Sequence, residues 1–266
     1  GTRPEIGPLP RWTATYLITQ DERLREVMFA NADAAASVPI HYRDEKTGQV
    51  LDVVTNPKVS VVYGTSNPAL PASTPKDTIW QPDTSHQGSY TYIPYLITGD
   101  TFYLDEMAYW AGWNVASLNP GYRQETKGLV YANQVRAQAW AIRSIAEVAH
   151  ALPNSHIQKN YFNSILANNL AHYATYQHSS MQSPIGAMIG SGSTDHTAPW
   201  QNDFVGTIFS LLVENNEPGA KTMLDWVNRF NIGRFENEAN GFCMAHAPGY
   251  FWKVRKDTGE FITSWA

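Results

Sequence analysis

The sequence predicts an all-α protein built of antiparallel helical hairpins, and three observations predict it. Apolar residues recur at three- and four-residue steps over most of the chain, good capping residues stand at the ends of those stretches, and one helix–turn–helix signature occurs twice. With 43% apolar and 16% charged residues, a chain of 266 residues has ample material for a core and is excluded from the disordered class.

The first hairpin joins a short helix from Trp12 to Ile18 to a longer one from about Asp21 to Ala36, where Leu24, Val27, Met28 and Asn31/Ala32 share a face. Asp21 suits the N-cap, and Glu22 follows where the helix dipole favours an anion. The turn is short enough that the two helices must run antiparallel. From Ser37 to about Asp83 the periodicity stops. Pro39, Pro57, Pro68, Pro71, Pro75 and Pro82, with Pro94 just beyond, forbid a long helix there, as do turn pairs such as Thr47-Gly48 and Asn56-Pro57. Residues 37–83 therefore read as a long Pro-rich loop, either a functional lid or a plain insertion. Val50–Val54 and Val59–Tyr63 are candidates for a short β-hairpin inside it.

Helical signals then return. Ser89–Thr98 and Thr101–Ser117 form a second hairpin, with Gly99 as a left-handed C-cap and Asp100 as the next N-cap. Tyr95-Leu96-Ile97-Thr98-Gly99-Asp100 repeats Tyr16-Leu17-Ile18-Thr19-Gln20-Asp21, so the repeating unit is a helical hairpin. Asn133–Leu152 carries Arg136, Trp140, Arg143, Glu147 and His150 along one face. His156–Gln177 has Phe162, Leu166, Leu170 and Tyr173 as its core stripe. Pro199–Val213 reads as apolar all round and hence buried, with Lys221–Phe230 as its amphipathic partner. The tail from Ile232 to Ala266, with Gly233, Gly241, Gly249 and Gly259 among aromatics, suits short strands. A single domain over residues 1–266 is the simplest account.

Charge and cysteine content exclude several classes. A net charge of −5 lacks the footprint of a nucleic-acid binder, and the lone Cys243, expected in the core, excludes a disulfide framework or a multi-cysteine metal site. Eight scattered histidines offer no metal-ligand spacing, and no nucleotide or dinucleotide fingerprint occurs; no metal and no cofactor are expected. No stretch approaches a membrane span. The chain opens Gly1-Thr2-Arg3 without methionine or a basic-then-apolar leader, as a processed product or a piece of a longer protein would.

Nine Trp, 14 Tyr and 10 Phe against so few charges suit walls that face both core and water. Together with hairpins turned at Tyr-Leu-Ile-Thr-(Gly/Gln)-Asp, this resembles the (α/α) toroid of carbohydrate-active enzymes, which includes six-hairpin glycosidases and toroidal polysaccharide lyases. The resemblance covers roughly residues 12–36 and 84–230. It implies a ring or partial ring of hairpins, a cleft at one end, a polysaccharide or oligosaccharide partner and a secreted or periplasmic setting. The eight or so helices fall short of the twelve of a full ring.

Two polar groups are candidates for chemistry. The first is Asp83-Thr84-Ser85-His86-Gln87-Gly88-Ser89-Tyr90-Thr91-Tyr92, placed where the loop enters a helix. There Asp83, His86 and Tyr90 or Tyr92 would handle protons and Gln87 would bind substrate; alternatively Asp83 or Ser85 caps the helix, His86 meets a buried carbonyl and the tyrosines pack. The second is Asp195-His196 with Trp200-Gln201-Asn202-Asp203, approached through Gly190-Ser191-Gly192-Ser193. Asp203 either faces a cavity, where with Asp83 it would flank a glycosidic bond, or pairs with an arginine. Tyr122, Arg123, Gln134, Arg136, Trp140, His196 and Trp200 are candidate substrate-binding residues, Arg being suited to a uronate carboxylate; an Arg143–Glu147 surface pair with a structural Arg136 is the other account of that helix. The expected activity is cleavage of glycosidic bonds, by β-elimination of a uronate glycan or by acid/base hydrolysis. A non-catalytic glycan-binding or scaffold toroid is the alternative.

Overall fold

The computed structural model describes residues 3–61, 81–175, 182–190 and 195–265. Among them are eight α-helices and one two-stranded sheet, so the molecule is mostly helical. The chain divides into two compact units: residues 1–130 with 140–166, and residues 131–139 with 167–266.

In the first unit, α1 (Arg11–Thr19) and α2 (Glu22–Ala35) pack as the expected hairpin. The Asp21 carboxylate accepts the Arg23 backbone N–H at 3.0 Å, a cap contributing about 1 kcal/mol. The second copy of the signature repeats this geometry. It joins α3 (Tyr92–Thr98) to α4 (Thr101–Ala116), and Asp100 accepts the Phe102 N–H at 2.9 Å. Each first helix ends on a left-handed residue, Gln20 at φ 56° and Gly99 at φ 69°. Glycine adopts that conformation freely; Gln20 is held there while its side-chain amide donates to the Tyr16 and Leu17 carbonyls. Tyr16, Met28 and Ile93, flanked by Trp12, Leu24 and Tyr92, close a core between the first hairpin and α3.

The second hairpin begins three residues later than the sequence suggests. A helix from Ser89 would drive the Pro94 ring into the Tyr90 carbonyl, whereas a start at Tyr92 leaves Pro94 in the first turn, where a missing N–H is harmless. The expected strand at Val50–Val54 is likewise not formed. Asp52 Oδ1 accepts the N–H groups of Val54 and Thr55 at 2.9 and 2.7 Å and turns the chain, leaving only an isolated bridge between Arg43 and Val50. Val61 donates to the carbonyl of Ala116 at the end of α4 and so pairs with a helix terminus; Val62 and Tyr63 of the proposed hairpin lie outside the described residues.

Helices α5 (Val135–Ala151) and α6 (Lys159–Ala174) contribute residues to both units. Phe162, Leu166, Leu170 and Tyr173 of α6 are all buried, as their spacing predicts. In the second unit α7 (Pro199–Glu214) packs on α8 (Ala220–Glu236). α7 is not buried all round, since Thr207, Ser210 and Leu211 are exposed. α8 runs past Phe230, and Gly233 within it is a packing glycine: a Cβ there would meet the Trp265 ring at 2.5–2.7 Å. Short strands β1 (His196–Thr197) and β2 (Trp252–Lys253) pair antiparallel, His196 opposite Lys253. The tail packs through Trp252, Phe261, Ile262 and Trp265 against Ile185, Ile189, Phe230 and Val254. Cys243 is exposed, correcting the expectation of a core residue: it opens a single 3-10 turn, too short to carry a buried face.

Because nothing lies within 4 Å of a Cβ built on Gly99, a Gly99→Ala change tests the backbone alone. Urea denaturation should show a loss of about 1 kcal/mol.

Candidate functional site

Within the first unit, segment 83–92 meets α5 through Gln87 and Ser89. Residues 83–91 form a loop and Tyr92 opens α3, so every candidate here except Tyr92 is placed by turns. The Asp83 carboxylate accepts the Ser85 N–H at 2.8 Å and contacts the His86 Nδ1, which fixes the two as a pair at the surface. Gly88 permits a close pass, since a Cβ there would lie 2.7 Å from the Glu5 carbonyl. Gln87 is buried and bonded to Asn114 (2.6 and 2.9 Å), the Thr84 carbonyl and Ser144, so it anchors the loop and presents nothing to a ligand.

What the loop meets on α5 is an ion pair, and this is not the surface pair that the sequence suggests. Arg143 is buried, donating to the Gly7 carbonyl at 2.6 Å and the Gln87 carbonyl at 3.3 Å, with Glu147 one turn on at 3.9 Å and the Trp140 ring beneath it. The Glu147 side chain is only 12% exposed and accepts the Ser89 hydroxyl at 2.6 Å. Burial raises its carboxyl to about 7, against the opposing pull of Arg143 and Ser89. Tyr92, half-buried, is raised by its own burial and then by the Glu147 charge. Tyr90 is pushed up to about 12 by burial and by Glu5. Both tyrosines thus keep their protons near neutrality, whereas Glu147 exchanges its proton in that range. Sequence reasoning placed Glu147 on the right face and missed its burial; the signal available was a carboxylate one turn from an arginine on a helix otherwise apolar on most sides.

Besides Gln87, two more predicted binding residues prove structural. Arg123 is fully buried and donates to the carbonyls of Leu118 (2.9 Å), Pro57 (3.0 Å) and Glu125 (3.3 Å), so it holds loops together and cannot clamp a uronate. Trp140 is fully buried beneath Arg143 and offers no face to a sugar. Tyr122, beside Arg123 in sequence, is exposed.

The second unit assembles a separate group. Arg136 lies over the Trp200 ring at 5.3 Å, its Nε donating to Gln134 at 3.0 Å and its backbone N–H to Gln201 at 3.1 Å. Trp200 continues into Tyr250 at 5.3 Å, Tyr250 into Phe251 at 5.8 Å, and Phe251 into His196 at 5.0 Å. Four of the predicted residues, Gln134, Arg136, His196 and Trp200, therefore stand together, joined by Tyr250 and Phe251, which the sequence alone did not single out. Asp203 stands apart in an ion pair with the buried Arg234 at 2.5 and 2.6 Å, the arginine-paired arrangement foreseen for it. Asp83 belongs to the first unit and Asp203 to the second. Residues 191–193 of the glycine-rich approach lie outside the described residues.

Comparison with known families, with curated proteins and with solved structures gives no significant match. Among the described residues no three His, Cys, Asp or Glu side chains are placed to hold a metal, and no helix is long and apolar enough to cross a membrane.

Two measurements follow. Replacing Arg123 with Met leaves one buried and two part-buried carbonyls without this donor and should cost about 2–4 kcal/mol in chemical denaturation. For Glu147, a folded-state value above the ordinary carboxylate range means that stability is greatest when the group is protonated and falls as pH rises through about 7. The unfolding free energy of the wild type should therefore decline between pH 5 and 8 by up to about 3 kcal/mol more than that of Glu147→Gln.

Proposed function

We propose that this chain is a carbohydrate-active enzyme that cleaves glycosidic bonds by proton transfer, and that its hairpins are those of an (α/α) toroid or part of one. The observation that carries the reading is Glu147. A carboxyl held by the Ser89 hydroxyl, shielded from water and titrating near 7, is matched to taking a proton in one step and returning it in the next. Tyr92 beside it supplies a donor to a leaving oxygen, and the Asp83–His86 pair a second exchangeable proton at the surface of the same loop. In β-elimination Glu147 would remove the proton next to a uronate carboxylate; in hydrolysis it would act as the acid or activate water. The twice-repeated hairpin signature and the exposed rings of Tyr250 and Phe251 beside the half-buried Trp200 supply the carbohydrate part of the reading.

A non-catalytic glycan-binding scaffold is the second reading, favoured by the closed ion pair of Asp203 with Arg234. Incubation with a panel of neutral and acidic glycans separates the two. Elimination leaves unsaturated ends that absorb in the near ultraviolet, hydrolysis leaves reducing ends that do not, and a scaffold leaves neither. Glu147→Gln should lower kcat by about 10²–10⁴-fold and remove the limb of the rate profile near pH 7. Turnover that survives in this variant with its pH profile unchanged would remove Glu147 from the mechanism.

A further inference from the structure

Resting on the glycan reading above, we infer that the second unit carries a binding site for an anionic saccharide, in which sugar faces lie on Trp200, Tyr250 and Phe251 and a carboxylate or sulfate meets Arg136. Tyr250 is 59% and Phe251 76% exposed, a large apolar area to leave against water side by side. The C–H face of a pyranose covers such rings well, and Tyr keeps a polar tip for its hydroxyls. Successive ring centroids from Trp200 to Phe251 are 5.3 and 5.8 Å apart, so the row is longer than one ring and suits an oligosaccharide. Tyr250 and Phe251 also border an open depression of about 590 Å³, lined further by Phe242, His246, Trp252 and Lys253.

The charge comes from Arg136. Its Nε is engaged by Gln134, and no acceptor among the described residues reaches its two terminal amino groups. The carboxylates of this unit that form ion pairs are directed elsewhere: Asp203 to Arg234, Asp225 to Lys221, Asp257 to Lys253 and Asp195 to His196. The Trp200 ring and Gln134 hold the guanidinium in one orientation before any ligand arrives, which lowers the entropy lost on binding. A planar fork with both outer nitrogens available matches a two-oxygen anion. Asp195, next to His196 at the far end of the ring row, is occupied by the His196 Nδ1 at 2.7 Å.

The test uses the full chain carrying Glu147→Gln, so that ligand is not consumed, and follows tryptophan fluorescence. It is titrated with an oligogalacturonate, a sulfated chondroitin oligosaccharide and a cello-oligosaccharide of similar length. At least one charged saccharide should bind about 10-fold or more tightly than the neutral one, weakening with added salt; whether the uronate or the sulfate wins identifies the anion. Adding Arg136→Gln should erase that preference, Arg136→Lys should restore part of it, and Tyr250→Ala, at an exposed position, should weaken all binding with the circular dichroism spectrum unchanged. Equal affinity for charged and neutral saccharides, indifference to Arg136→Gln, or no binding at all overturns the inference. Cleavage of a neutral glycan by the wild type without this charge preference would sink the inference and leave the enzyme standing, whereas charge-dependent binding without cleavage of any glycan would do the reverse.

Discussion

Arg143 is a cation with almost no water around it, and the first unit is organised by that fact. A buried guanidinium left without acceptors is destabilising by several kcal/mol, so the chain supplies them from distant places: the carbonyls of Gly7 and Gln87, and Glu147 one turn along α5. Three stretches remote in sequence are thereby fixed at one point. The proximity of Ser89, Tyr92 and Glu147 follows, because once Gln87 is tied to α5 the next residues of the loop can only run alongside it. Burial then acts on both partners, lowering Arg143 and raising Glu147, so the pair that secures the loop also creates an acid in the neutral range.

The hairpins were legible because their signals are local. Asp21 and Asp100 cap helices through their own side chains, and Gly99 ends one through its own backbone; neither depends on what lies across the fold. The stripe of α6 was legible for the same reason. The Val50–Val54 strand does not form because Asp52 satisfies two backbone N–H groups by itself, a competitor that alternation of apolar residues does not reveal. Gly233 reads as a breaker in sequence and is a contact in space, decided by Trp265, which lies far along the chain.

At the candidate sites the division is sharper. Residue type alone could not separate Arg123 from Arg136, yet one is enclosed by three carbonyls and the other lies on a ring with its outer nitrogens open among the described residues. Burial is a property of the whole fold, and an arginine's role changes with it completely. Glu147 is hidden from the sequence for the same reason, and Tyr250 and Phe251 because their neighbours, Trp200 and His196, arrive from another part of the chain.

The exposed Cys243 lines the same depression as Tyr250 and Phe251, and it is the chain's single thiol. A maleimide dye would therefore attach at one defined spot, without any engineering of competing cysteines, and its emission would report on whatever enters that depression. The same uniqueness leaves the thiol no intramolecular partner, so under oxidising conditions a disulfide can form only between two molecules or with a small thiol.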